Sequence, residues 1–150
     1  HSKCSMKKAW FTLTKTGEVS GSVQLNLNNT PDIAQTIAVT CLGLSMDCVL
    51  TGLHTLRIKE TDRLSAMKKE LEKFGAQVNI TDDCLTVMTG SITTAKFIGI
   101  ETYNDHRMAM AFAALAVKIP LVIKNADVVS KWYPSFWDDF KAINFSVKVL

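Results

Sequence analysis

Between residues 21 and 27 apolar and polar side chains alternate, Gly21-Ser22-Val23-Gln24-Leu25-Asn26-Leu27, and a period of two predicts a half-buried strand. Asn28-Asn29-Thr30-Pro31 interrupts it. Ile33, Ala34, Ile37, Ala38 and Cys41 then recur at helical spacing up to Gly43, so a helix is expected over 31–42, with proline in its first turn. The apolar run 48–53 predicts a second strand. After a charged stretch, Leu64, Met67, Leu71 and Phe74 form one apolar stripe, with Lys68, Lys69, Glu70, Glu72 and Lys73 largely off it and Gly75 as a stop. Residues 76–80 and 85–88 read as short strands joined through Thr81-Asp82-Asp83 as a hairpin turn.

The order so far is β-α-β-α-β-β, and the remainder begins it again: a strand over 97–102, an Ala- and Met-rich helix over 105–117, a strand over 121–124 and a helix over 134–142 that starts on proline. The expected class is therefore α/β (α+β), built from a repeated supersecondary unit. One complete copy occupies 21–90 and an incomplete copy 91–150, which suggests a chain cut from something larger. Residues 1–20 fit neither copy and are expected to be the remnant of a preceding unit, with a strand over 8–14.

Composition narrows the class of function more than the fold. With 150 residues, 47% of them hydrophobic, a globular domain is expected. No run approaches 18 apolar residues and the first residues lack the hydrophobic core of a secretory signal, so the reading is a soluble, cytoplasmic protein with no membrane segment. Cys4, Cys41, Cys48 and Cys84 show no C-x-x-C spacing and are expected to be free thiols. Three histidines without a Cys/His cluster predict no metal. A net charge of +3 with scattered basic residues argues against nucleic acid, while a small anion needs only a few well-placed cations.

The densest charge is in Arg57-Ile58-Lys59-Glu60-Thr61-Asp62-Arg63, five charged residues in seven, at the start of the second helix. Polar residues also gather where the other helices begin: Pro31-Asp32, Asn104-Asp105-His106-Arg107, and Lys131 ahead of the fourth. Cations at a helix N-terminus oppose the macrodipole by a few tenths to about 1 kcal/mol each. A bound anion reverses that sign, because Arg63, Arg107 and Lys131 then add charge-assisted hydrogen bonds to those of the backbone. Each residue also has a purely structural explanation: Asp32 and Asp105 as caps, Asp62 as a helix-start acid, Lys131 as a surface lysine, His106 as a hydrogen-bonding support, and Trp132 to Trp137 as packing. Their joint placement is what favours a site.

The strings Arg57 to Arg63, Tyr103-Asn104-Asp105-His106-Arg107-Met108-Ala109-Met110 and Lys131-Trp132-Tyr133-Pro134, with Thr30-Pro31-Asp32-Ile33-Ala34 upstream, resemble the C-terminal part of the 5-enolpyruvylshikimate-3-phosphate synthase family over roughly residues 21–142. The resemblance implies transfer of the enolpyruvyl group of phosphoenolpyruvate to the 5-hydroxyl of shikimate 3-phosphate, with release of phosphate and no cofactor. It is a step toward chorismate and the aromatic amino acids. By position, Asp32 resembles the base that takes the hydroxyl proton and Glu60 the acid that protonates the methylene carbon. Lys59 would support the hydroxyl, and Arg63, Arg107 and Lys131 would hold the anionic groups of phosphoenolpyruvate. Asp105 and His106 would support them.

Thr55 stands where some members carry an asparagine that contacts shikimate 3-phosphate. The resemblance further implies a two-domain enzyme with its site in the cleft. The N-terminal domain would then be a missing partner, and the present chain alone would be inactive or nearly so. Two other readings stay open at this point. One is the sister transferase acting on a nucleotide sugar, and the other is a non-catalytic anion-binding module on the same repeat.

Overall fold

The computed structural model describes residues 17, 21–58, 62–90 and 97–148. The strand expected over 8–14, Cys4, and Lys59, Glu60 and Thr61 lie outside the described residues. In chain order the elements are β1 (Ser22–Asn26), a 3-10 turn (Pro31–Ile33) leading into α1 (Ala34–Gly43), β2 (Asp47–Thr51), a 3-10 segment (His54–Ile58), α2 (Arg63–Glu72), β3 (Gln77–Ile80), β4 (Cys84–Met88), β5 (Ile98–Ile100), α3 (His106–Ala113) tightening into a 3-10 turn (Ala114–Val117), β6 (Leu121–Ile123), a 3-10 turn (Ala126–Val129) and α4 (Phe136–Ala142). The class is α/β, as the hydrophobic pattern predicts. Among the described residues no helix is long and apolar enough to cross a membrane.

Four strands form one sheet in the order β1-β2-β4-β3, and β5 and β6 form a separate pair. β1 and β2 run parallel, as do β5 and β6, whereas β4 is antiparallel to both β2 and β3. Parallel neighbours need a crossover, which α1 supplies in the first case and α3 in the second. The hairpin turn falls at Thr81-Asp82-Asp83 as expected, closed by the Thr81 amide on the Cys84 carbonyl at 2.9 Å.

A continuous core joins the four-stranded sheet to α1, α2, α3 and β5, with Phe74 stacked on Phe112 at 6.0 Å. Cys41 and Cys48 are buried in it as free thiols, and burial, then the neighbouring Cys41, pushes the Cys48 thiol up to about 12. Leu64, Met67, Leu71 and Phe74 are all buried.

Two expectations need correction. Glu70 is not off the stripe: it is 0% exposed, because positions 63, 67, 70 and 71 share one helical face, and its carboxylate is supplied with donors there. The fourth helix does not begin at Pro134 but at Phe136. Pro134 stays in the preceding turn, and α4 starts where the buried Phe136 packs on Tyr133, Trp137 and Phe140.

α2 starts sharply because Asp62 caps it. Its carboxylate accepts the Ser65 amide at 3.1 Å and the Ser65 hydroxyl at 2.7 Å. Burial acts against the charge, but the Ser65 bonds and the Arg57 guanidinium hold the carboxyl below its ordinary range. Asp62→Ala is expected to cost about 1 kcal/mol in urea unfolding at neutral pH. Because the folded-state carboxyl is the stronger acid, the native chain's advantage over the variant is present above the ordinary carboxylate pKa. It should fade as pH falls through the lowered value.

Candidate active site

In each of the two parallel pairs, the segments that follow the strands' carboxyl ends carry the candidate residues. β1 leads to Asp32, β2 to Arg63, β5 to Asp105, His106 and Arg107, and β6 to Lys131. In open α/β sheets this is the edge at which ligands are bound. Gly52 makes the first approach possible: it turns the chain after β2 at φ +77, and a Cβ there would lie 2.4 Å from the Asn28 backbone nitrogen.

Asp105 caps α3. One of its carboxylate oxygens accepts the Arg107 amide at 2.9 Å, and the other accepts Arg63 Nε at 2.6 Å. Arg63 and Asp105 are 5% and 4% exposed, so this is a buried ion pair. Arg63 Nη1 also donates to Asp32 at 3.1 Å. Asp32 in turn pairs with Arg107 Nη1 at 2.5 Å, and the same nitrogen donates to the Asp32 carbonyl at 3.2 Å. Asp32 thus bridges two guanidiniums that come from different helix starts. Its side chain is 43% exposed and that of Arg107 33%, so the network is buried at the Asp105 end and open to solvent at the Asp32 end.

His106 lies 4.0 Å from Asp105 through Nδ1 and stacks on Trp132 at 5.1 Å. Lys131 Nζ is 5.6 Å from the centre of the Trp132 ring. Lys131 lies in the turn ahead of α4, as expected, and approaches His106 through the Trp132 ring. The Thr55 hydroxyl is buried without a hydrogen-bond partner among the described residues. Arg57, in the charged string, turns away to the β3–β4 turn, donating to the Thr81 carbonyl at 3.0 Å.

Sequence reasoning overlooked Glu70 and Tyr103. Glu70 accepts the Tyr103 hydroxyl at 2.8 Å, the Glu101 amide at 3.2 Å and Lys73 Nζ at 2.5 Å. Tyr103 and Asn104, immediately before Asp105, both have left-handed backbone, φ 53 and φ 57. For a non-glycine residue that conformation costs on the order of 1 kcal/mol. Burial, and then the Glu70 carboxylate, push the Tyr103 hydroxyl up to about 12, so it stays a donor across the neutral range. The available signal was spacing: Glu70 is seven residues after Arg63, on the same face of α2.

Among the described residues no group of three or more His, Cys, Asp or Glu side chains is arranged to hold a metal ion. A cavity of about 790 Å³ lies beside β6 and α4, lined by Leu121, Ile123, Trp137, Phe140 and Phe145 among others, and none of the candidate residues lines it.

The model of the EPSP synthase family (3-phosphoshikimate 1-carboxyvinyltransferase) matches residues 5–140. The chain belongs to the EPSP synthase family. It is 40% identical over 139 residues to the 3-phosphoshikimate 1-carboxyvinyltransferase of Bacteroides fragilis, covering 91% of the present chain and 34% of that protein. The protein of the same name from Actinobacillus succinogenes is 40% identical over 135 residues, with 89% and 31% covered. That from Buchnera aphidicola is 41% identical over 123 residues, with 81% and 28% covered. The chain thus spans about a third of the length of the curated relatives it matches.

Proposed function

We propose that this chain forms one wall of a site that transfers the enolpyruvyl group of phosphoenolpyruvate to the 5-hydroxyl of shikimate 3-phosphate and releases phosphate. The observation that carries the reading is the bridge of Arg63 and Arg107 by Asp32 at the carboxyl ends of the strands. Two guanidiniums whose facing partner is a half-exposed carboxylate suit the carboxylate and phosphate of one small dianion.

An arriving anion competes with Asp32 for the guanidinium protons. Asp32 is then released toward the substrate hydroxyl as base, while Glu60 protonates the methylene carbon. The tetrahedral adduct collapses as phosphate leaves and the methyl group returns the proton. Lys59 and Lys131 add positive charge beside the hydroxyl and the phosphate, and Asp105 and His106 hold Arg63 and the Lys131 stack. Thr55 offers its hydroxyl to shikimate 3-phosphate. The rest of the site comes from the missing part of the enzyme, so one wall alone cannot hold both substrates in reacting geometry.

The test joins the chain to the remaining two-thirds of the Bacteroides fragilis relative and follows phosphate release. The chain alone is expected to give none above background, and the hybrid should release phosphate only when shikimate 3-phosphate and phosphoenolpyruvate are both present. A folded hybrid that stays silent, or that turns over with a nucleotide sugar instead, overturns the reading. Arg107→Ala in the hybrid is expected to weaken phosphoenolpyruvate binding about ten- to a hundredfold.

A further inference from the structure

We propose that Glu70 is a positioning residue for the anion site, holding the strained Tyr103-Asn104 turn so that Asp105 meets Arg63. The proposal rests on the reading of Arg63 and Arg107 as the anion donors. α2 grips the chain between β5 and α3 at two points along one face. At its first residue, Arg63 Nε donates to Asp105 at 2.6 Å; two turns later, Glu70 accepts from the Glu101 amide and the Tyr103 hydroxyl. Between these two grips lie the two left-handed residues, Tyr103 and Asn104, and the Asp105 amide closes the turn on the Thr102 carbonyl at 2.8 Å.

A left-handed tyrosine is a conformation that surroundings must impose. The Tyr103 hydroxyl bond to a fully buried carboxylate imposes it here. Lys73 completes the clamp, bonding Glu70 at 2.5 Å and the Gly99 carbonyl of β5 at 2.8 Å, so that carboxylate, lysine and strand are fixed together. If the grip at Glu70 is lost, the turn relaxes toward right-handed backbone and the Asp105 carboxylate swings off Arg63. The Arg107 amide loses its acceptor in the same movement.

Hydrogen exchange in the ¹⁵N-labelled 150-residue chain tests this, followed at Arg63 Nε–H and at the Arg107 amide. The variants are Glu70→Gln and Tyr103→Phe, with Val87→Ala, a buried change on β4, as a destabilised control. Both test variants are expected to speed exchange at these two protons about tenfold beyond the change at core-strand amides such as Leu50. Val87→Ala should move all sites together. If Arg63 Nε–H and the Arg107 amide follow global stability in Tyr103→Phe as they do in the control, the proposal is overturned. Should Glu70→Gln fail to fold, Tyr103→Phe decides alone, since it keeps the ring and removes only the hydroxyl. The measurement uses no substrate, so a chain that binds no phosphoenolpyruvate fails the functional reading and leaves this result standing.

Discussion

Replacing Asp105 with alanine is expected to destabilise the chain by about 2–4 kcal/mol, less than the full cost of stranding a buried charge because Arg63 Nη1 stays on Asp32. Arg63 would keep its charge at 5% exposure with its Nε acceptor gone, and α3 would lose its cap at the Arg107 amide. Against a total stability of about 5–15 kcal/mol for a domain this size, the loss is severe. Urea denaturation of the variant is the measurement. A cost below about 1 kcal/mol, in the range of exposed pairs, would show that the pair is solvated and the geometry wrong. Removing Arg63 as well, Arg63→Met with Asp105→Ala, is expected to recover part of the loss, because the buried guanidinium that has lost its Nε acceptor goes with it.

The second large effect is at Gly52. Its φ of +77 disfavours any side chain, and an added Cβ would meet backbone atoms of Asn28 at 2.4 and 2.7 Å. Backbone cannot rotate away as a flexible side chain can, so the loops after β1 and β2 must part. Gly52→Ala is expected to cost about 2–4 kcal/mol, combining left-handed strain with overpacking. Those loops carry Asp32 and lead to Arg63. The Asp32–Arg63 bond at 3.1 Å should therefore weaken along with stability, and Arg63 side-chain resonances would report it. Unchanged melting of Gly52→Ala would mean that the loops do not approach this closely.

Much of this architecture was legible from side-chain spacing. The period-two run before Asn28 is β1, though not half-buried as its alternation predicts, since Leu25 is 42% exposed; the stripe Leu64, Met67, Leu71 and Phe74 faces the core, and Thr81-Asp82-Asp83 makes the hairpin turn. Motif strings also marked Asp32, Arg63 and Asp105 to Arg107 as candidates for one site, and the fold joins Asp32, Arg63, Asp105 and Arg107 in one network. The use of Glu70 was missed although its spacing from Arg63 puts it on the buried face of α2. A carboxylate in a helix reads as solvent-facing unless its donors are known, and besides Lys73 on the same helix those donors are Tyr103 and the Glu101 amide, 33 and 31 residues away. Pro134 misled for a related reason: proline signals a helix start, but the buried Phe136 sets where α4 begins.

Local periodicity, caps and turn residues determined the order of strands and helices here, because those preferences act over one or two turns of chain. The assignment of charges depended on packing, because the pairs that join Arg63 to Asp105 and Asp32, and Arg107 to Asp32, link segments far apart in sequence. Arg63 read as a free anion donor until the fold set Asp105, 42 residues on, against its Nε, and placed Asp32 between it and Arg107. Whether a charged side chain is solvated, paired or poised for a ligand depends on what else shares its low-dielectric space. In this chain that space exists only once β1, β2 and β5 have brought their carboxyl ends together.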